Sequence, residues 1–417
     1  MKEVCVFFVK EASNNNLDLC GKKNNYLPEN KGTEIVDLYQ VCFENFLETN
    51  ELRPSDNDLY IKTSTTGCNL VTEGEQNNKS NLETLKLLNN PFFLKNIFTQ
   101  LGFNSIEPLP IVNAKGNTLF VSAGVQIIDD IIHNDGIITE KPKFVIQPVL
   151  RTQYIDGVSE GSSTSFINIS TEAVNIDPKE HFCFLQQWLK IFIDLGMEKD
   201  KFTFKSRHID KTWGNKTFNG FELFIYYDGL EIGDGSFNYN VAQNTRGDIN
   251  FSDIGFGLER VKWILSGGSY FDTFTTVYKN QLTLPSLAYA NTLSLLSGSG
   301  LKPSNKEYGY RFRLFSKRFV DEVKGKCFEL DNLFNENYKY WSNWTKLQIS
   351  ESESLSIIRK ENSRNFNRLL LDELLKKFND VNLDINLPTN EIIKRLSHTS
   401  VDTKTLEETI NNLNYKK

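Results

Sequence analysis

The stretch Asp253-Ile254-Gly255-Phe256-Gly257-Leu258-Glu259-Arg260 constrains this chain more than any other. Phe251 can end a strand, and from Leu258 the apolar residues Leu258, Val261, Ile264 and Leu265 fall at helical spacing. Two glycines at the join, Gly255 and Gly257, let backbone approach a ligand with no Cβ in the way. Arg260 stands one turn into the helix, and a carboxylate stands at its mouth. A fixed guanidinium suits a phosphate oxygen and a fixed carboxylate suits an ammonium group. The stretch can therefore hold a nucleotide phosphate and an amine together. The plainer reading is a glycine-entered helix with a surface Glu-Arg pair, and short motifs of this kind match often.

The bulk of the chain bounds the possibilities. Its 417 residues suffice for two or three domains. No apolar run reaches the roughly 18 residues of a membrane span. The start, Met1 to Lys10, reads as a strand and not as a signal peptide. The six cysteines are scattered without a CxxC, so neither a zinc site nor a disulfide framework is expected, and a cytoplasmic setting is. The net charge of −6 gives no global attraction for nucleic acid, so any RNA contact must use a local basic patch.

The motif Gly255-Phe256-Gly257-Leu258-Glu259-Arg260 resembles motif 3 of the class II aminoacyl-tRNA synthetases. With Asp253 before it, the stretch resembles the alanyl type, which reads Asp-Thr-Gly-Met-Gly-Leu-Glu-Arg. Earlier in the chain, the helix signal from Asn90-Pro91 to Gly102 and the segment Asn117 to Val125 resemble the start of that catalytic domain. A broad apolar face is expected on that helix, from Phe92, Phe93, Leu94, Ile97, Phe98 and Leu101. Lys143 to Arg151 resembles the motif 2 strand, whose terminal arginine contacts the ATP α-phosphate. Phe166 falls where the family stacks a ring on adenine. The loop between them, Asp156 to Ser165, is rich in Gly and Ser. The chain departs from the family here: Ser163 to Ile169 lacks its two histidines and its glutamate, and its Gly-Asn-Phe-Ser-Phe-Gly has become Thr171 to Ile176.

Asp177-Pro178-Lys179-Glu180 reads as a capping box before a core helix carrying Phe182, Leu185, Trp188, Leu189, Phe192 and Leu195. Trp213 precedes Glu222 to Gly229 much as the family's alanine-pocket tryptophan precedes its own strand. Asp234 falls where the pocket amide stands, which puts a second carboxylate near Asp253. Pro303 to Arg311 resembles the family's acceptor-stem element. Ser304 and Glu307 are expected to form a capping box, and Lys306, Arg311, Arg313, Lys317 and Arg318 to give the helix a cationic side. A long helix is expected over Glu353–Phe378, with Leu369, Leu370, Leu371, Leu374 and Leu375 as its core side.

The expected fold class is α+β: a class II synthetase-like antiparallel sheet flanked by helices over 85–280, then a helical tRNA-recognition domain over 281–417. A small α+β appendage of unassigned role over 1–84 precedes them, with strands at Val4–Val9 and Leu59–Thr63 and a helix at Glu34–Glu48. The resemblance implies ATP and Mg²⁺-dependent activation of a small amino acid, alanine first, and its transfer to a tRNA acceptor stem. Arg151 and Arg260 would be catalytic. Arg151, Phe166, Gly255, Gly257 and Arg260 would bind ATP, and Trp213, Asp234, Asp253 and Gly255 the amino acid. Asn305, Arg311, Arg313 and Lys317 would bind tRNA. No protein-bound metal site and no membrane association are expected, and the oligomeric state stays open. Two alternatives stand beside this: an adenylate-forming paralogue with another amino acid or acceptor, and a non-catalytic tRNA- or amino-acid-binding paralogue.

Overall fold

The structure, a computed structural model, describes residues 81–380 except 113–117, 134–140, 177, 214–215, 241–248, 275–277 and 279. It also describes four short strands before residue 81 and positions 390, 391 and 394. The expected helix over Glu34–Glu48, Asp177 and its capping box, and the core leucines from Leu370 onward lie outside the residues described in that detail.

A nine-stranded sheet dominates, in the order β1-β4-β8-β9-β10-β11-β7-β6-β5. Its strands are β1 Val6–Lys10, β4 Leu59–Thr63, β5 Asn104–Ile106, β6 Lys143–Leu150, β7 Ser165–Val174, β8 Phe202–Trp213, β9 Lys216–Tyr227, β10 Leu230–Asn240 and β11 Asn250–Gly257. Only β5 and β6 pair in parallel, as expected for a mainly antiparallel sheet. A separate two-stranded hairpin joins β2 Asp18–Leu19 and β3 Lys22–Lys23. Turn chemistry sets the meander β8-β9-β10. Between β9 and β10, Asp228 and Gly229 both adopt positive φ, 50° and 82°, the pairing that a two-residue hairpin turn of right-handed twist requires.

Helices α1 Asn81–Leu88, α2 Pro91–Gln100, α3 Asp129–His133, α4 Pro178–Asp194 and α5 Leu258–Ser266 accompany the sheet. Helix α2 starts as its sequence dictates: the Asn90 side chain accepts from Phe92 N at 3.0 Å, with Pro91 at the first position. Its apolar face is narrower than expected, because Leu94 and Phe98 are buried while Phe92 is 80% exposed and Leu101 40%. Helix α4 covers one face of the sheet. Its Phe182, Leu185, Trp188, Leu189, Phe192 and Leu195 are all buried, the core role expected of them. Trp188 Nε1 donates to the Thr171 hydroxyl at 2.8 Å, and its ring meets Phe98, Phe192 and Phe256. The segment Thr118 to Gly124 forms no ladder strand. An isolated bridge pairs Val112 with Phe120, and a 3-10 turn, Gly124–Ile128, follows.

The chain divides into two compact units. The first comprises Met1–Thr276 and Lys339–Lys346, the second Val277–Tyr338 and Leu347–Lys417. The second unit is helical: α6 Leu284–Gly298, α7 Glu307–Val323, the first turns of α8 Leu330–Trp344, and α9 Glu351–Asp380. Helix α9 fulfils the long helix expected there. Among the described residues no helix is long and apolar enough to cross a membrane.

Candidate active site

The β6–β7 hairpin and the β11–α5 join build one end of the site. Leu150 pairs with Ser165 and Val149 with Phe166, so Arg151 leaves the strand beside Phe166. Its guanidinium lies over the Phe166 ring at 5.0 Å, and its Nε donates to Ser122 O at 3.1 Å. Arg260, on the first turn of α5, donates Nε to Gly161 O and a terminal nitrogen to Glu231 O, each at 2.7 Å. The Gly/Ser-rich loop is thereby held on the helix. Gly161 sits there at a φ of 76°, where an added Cβ would lie 2.9 Å from the Trp263 ring. Glu160 anchors the same loop from its other side, accepting from the Ser269 hydroxyl at 2.8 Å and Tyr270 N at 3.0 Å. Burial and the charge of Glu259 push the Tyr270 hydroxyl well up, and Arg260 and Arg151 both lie within electrostatic reach to oppose that.

Glu259 is not half of a surface Glu-Arg pair. It is fully buried and accepts the Ile167 N–H through both oxygens, at 2.9 and 3.0 Å. The β7–β11 ladder ends at Asn168 opposite Gly257, where α5 begins, so the Glu259 carboxylate takes the Ile167 N–H where a strand carbonyl would otherwise stand. The Tyr340 hydroxyl also donates to Glu259. Lys262, likewise buried, lies over the rings of Tyr340 and Trp344 at 5.5 and 5.3 Å. Desolvation brings the Lys262 ammonium down to about 8. This cluster braces the helix from within the protein.

The other end of the site is a polar face on the central strands. Asp253 stands directly opposite Glu172 on β7 and Ser236 on β10, and Ser236 opposite Glu222 on β9. Two positions along, Gly255 stands opposite Ser170 and Asp234. Directly opposed residues share a face, and residues two apart on a strand share it too. Four carboxylates therefore line one face: Glu172 and Glu222 buried, Asp234 and Asp253 half-buried. Burial, then the charge of Asp253, pushes the Glu172 carboxyl well above the ordinary range, although the Ser170 hydroxyl works the other way. Ser170 and Asp253 are near enough to act on it, yet neither Glu172 oxygen has a hydrogen bond of good geometry.

The expected residues are brought together unevenly. Arg151, Phe166, Gly257 and Arg260 gather at the hairpin end, and Asp234 and Asp253 share the acidic face. The bare side of Gly255 serves the Asn168 amide, which an added Cβ would meet at 2.9 Å, so Asn168 occupies the room expected for a ligand. At Gly257 a Cβ would meet only Arg260, at 3.7 Å. Trp213 is not brought to Asp234. It ends β8 at the hairpin pairing with Lys216, eight residues along the strand from Lys205 in the Asp234 row, which is about 26 Å at strand rise. Sequence reasoning passed over Glu172, Ser170 and Asn168 as site residues. Their signal was the alternation Asn168, Ser170, Glu172 against Ile167, Ile169, Thr171, which sets a polar face against an apolar one.

In the second unit, α7 starts at Glu307 with Lys306 as N-cap, and no side chain caps it. The expected Ser304–Glu307 capping box does not form, because the Ser304 hydroxyl turns to the backbone of Lys306. Ser304 packs against Gly309, where an added Cβ would lie 2.4 Å from Ser304 N. Arg313 donates to the Asn305 side chain and lies 3.6 Å from Glu361. Lys317 and Arg318 are exposed and Arg311 is half-buried beside Tyr310.

No protein-family model matches the chain. It is similar to the alanine–tRNA ligase of Staphylothermus marinus, 24% identical over 212 residues that cover 46% of this chain and 23% of that protein. The chain thus spans about a quarter of the length of the curated relative it matches. Two structures of pyrrolysyl-tRNA synthetase from Desulfitobacterium hafniense are also similar. One is 12% identical with a TM-score of 0.30, covering 55% of this chain and 80% of that one. The other is 13% identical with a TM-score of 0.29, covering 55% and 76%.

Proposed function

We propose that the chain activates a small amino acid with ATP, forming an aminoacyl adenylate and pyrophosphate, and passes the aminoacyl group to a tRNA acceptor stem in the cytoplasm. The observation that carries this reading is that Arg151 and Arg260 stand at the ends of neighbouring strands, β6 and β11, beside β7, while the β10–β11 face bears Asp234 and Asp253. The amino acid's carboxylate oxygen attacks the α-phosphorus, and the bond to pyrophosphate breaks. No side chain need take a proton in that step. The two guanidiniums offer fixed positive charge to the developing negative charge on phosphorus, and Asp253 holds the ammonium. Mg²⁺ would be bound mainly through the nucleotide's own phosphates, which need no dedicated protein cage. Alanine is the substrate that the motif 3 likeness favours. The buried Glu172 favours the second reading, a paralogue for a different amino acid.

Amino-acid-dependent pyrophosphate exchange tests the proposal. Arg260→Ala should reduce exchange by about a hundredfold or more, as for other lost electrostatic stabilisers, while circular dichroism shows the fold retained. Exchange near the wild-type rate would remove Arg260 from the ATP site.

A further inference from the structure

One side of Arg260 is set by the Gly/Ser-rich loop. The loop tip, Ser159-Glu160-Gly161-Ser162, is a tight turn tied in both directions: Ser162 N donates to Ser159 O at 3.0 Å, and Ser159 N to Ser162 O at 3.2 Å. Gly161 takes the third place at a φ of 76°, the left-handed position that a type II turn reserves for glycine.

The two residues at the tip grip different elements. The Gly161 carbonyl accepts Arg260 Nε at 2.7 Å. The Glu160 carboxylate accepts from the Ser269 hydroxyl and from Tyr270 N, at the start of the 3-10 turn Tyr270–Thr273 that follows α5. Trp263 fastens α5 to that turn: its Nε1 donates to Gly268 O at 2.7 Å and its ring meets Tyr270 edge-on. The tip is thus held at two points of one packed block, and the Glu160 tie fixes where the Gly161 carbonyl stands.

Arg260 is oriented as a result. Gly161 O holds its Nε and Glu231 O holds one terminal nitrogen, while the Glu231 carboxylate lies 3.8 Å from that same nitrogen. These ties fix the plane of the guanidinium, whose five N–H donors form a rigid fork. The two hydrogen bonds go to carbonyls, which orient a cation without neutralising it. The other terminal nitrogen makes no hydrogen bond among the described residues, and the side chain is 30% exposed. A guanidinium held this way presents donors of fixed direction, which suits a phosphate oxygen.

We propose that Glu160 is a positioning residue for nucleotide binding: with Gly161 it sets the loop tip so that Arg260 keeps its remaining terminal nitrogen aimed at a phosphate. The inference rests on the ATP-binding reading above and adds to it a residue that acts through Arg260.

Calorimetric titration of the full chain with ATP and Mg²⁺ tests it, arranged as a double-mutant cycle with Arg260. Glu160→Ala should weaken ATP binding by about tenfold, ~1.4 kcal/mol. In an Arg260→Ala background the same substitution should change ATP affinity by less than about twofold, because the group that Glu160 aims is gone. Glu160→Gln should stay within about threefold of wild type, since its amide can accept from Tyr270 N and donate to the Ser269 hydroxyl. If Glu160→Ala does not fold, Ser269→Ala removes the same tie from its other partner and should repeat the pattern at smaller size. ATP affinity unchanged in Glu160→Ala would overturn the proposal. So would an equal loss with and without Arg260, a Gln variant as weak as the Ala variant, or a wild type that does not bind ATP. The predicted cycle in a chain that shows no amino-acid-dependent pyrophosphate exchange would instead sustain this inference and defeat the activating reading.

Discussion

His181 shows how much one side chain can carry in this fold. It lies on α4, is fully buried, and its Nδ1 lies 2.7 Å from the Ser252 hydroxyl. Desolvation therefore takes the imidazole from 6.5 down to about 3. The folded chain binds the proton more weakly than the unfolded chain does. Its contribution is thus fully present above pH 6.5 and is lost as pH falls from 6.5 toward 3. Between pH 7 and pH 5 the loss from this group is about 2 kcal/mol. His181→Phe should flatten that part of the stability profile, measured as urea midpoints of both proteins at the two pH values. It should also cost stability at pH 7, since Ser252 loses its partner. Equal pH dependence in the two proteins would show that the ring is hydrated or charged in the fold.

At the scale of elements, helix α5 depends on Glu259. Glu259→Ala would strip the Ile167 N–H and the Tyr340 hydroxyl of their acceptor and leave Lys262 buried without its carboxylate. A loss of about 3 kcal/mol or more is expected in urea unfolding, the range for breaking a buried charged network. A change within about 0.5 kcal/mol, as at an ordinary surface site, would contradict the bracing role. Helix α7 makes a different prediction. Arg313 is committed to Asn305 and Glu361, so the outward cations are Lys317 and Arg318, with Arg311 half-buried. Reversing Arg311 and Lys317 to Glu should weaken tRNA binding and lower its salt slope by about 0.7–0.9 per lost phosphate contact. Unchanged affinity and slope would make this side of α7 a solvated surface only.

These elements also show where the sequence was legible. Helix α2 announced itself through its cap, and α4, α5 and α9 through apolar spacing, because those signals are local. The Glu259 role was hidden because it depends on the backbone N–H of Ile167, 92 residues away on β7, which meets the start of α5 only once β7 and β11 are paired. The Ser304 box failed for a similar reason: Gly309 admits the Ser304 backbone, and the exposed hydroxyl bonds the Lys306 backbone instead. Trp213 was displaced because strand length and register, which sequence spacing does not fix, set its row.

For the whole molecule, the central claim is that the paired arginines and the acidic strand face form one amino-acid-activating site. Arg151 and Arg260 reach it from a hairpin end and a helix start, whereas Asp253, Asp234 and Glu172 come from three adjacent central strands. A nucleotide end and an amine end are thus separate in chemistry although they share β11. Such a division predicts separable defects. Asp253→Asn keeps the shape and removes the charge at the amine end. In steady-state pyrophosphate exchange, the account predicts an amino-acid KM raised by about tenfold or more, the scale of a lost charge-assisted contact, with the ATP KM changed little. An enzyme whose amino-acid KM is indifferent to Asp253→Asn would contradict it.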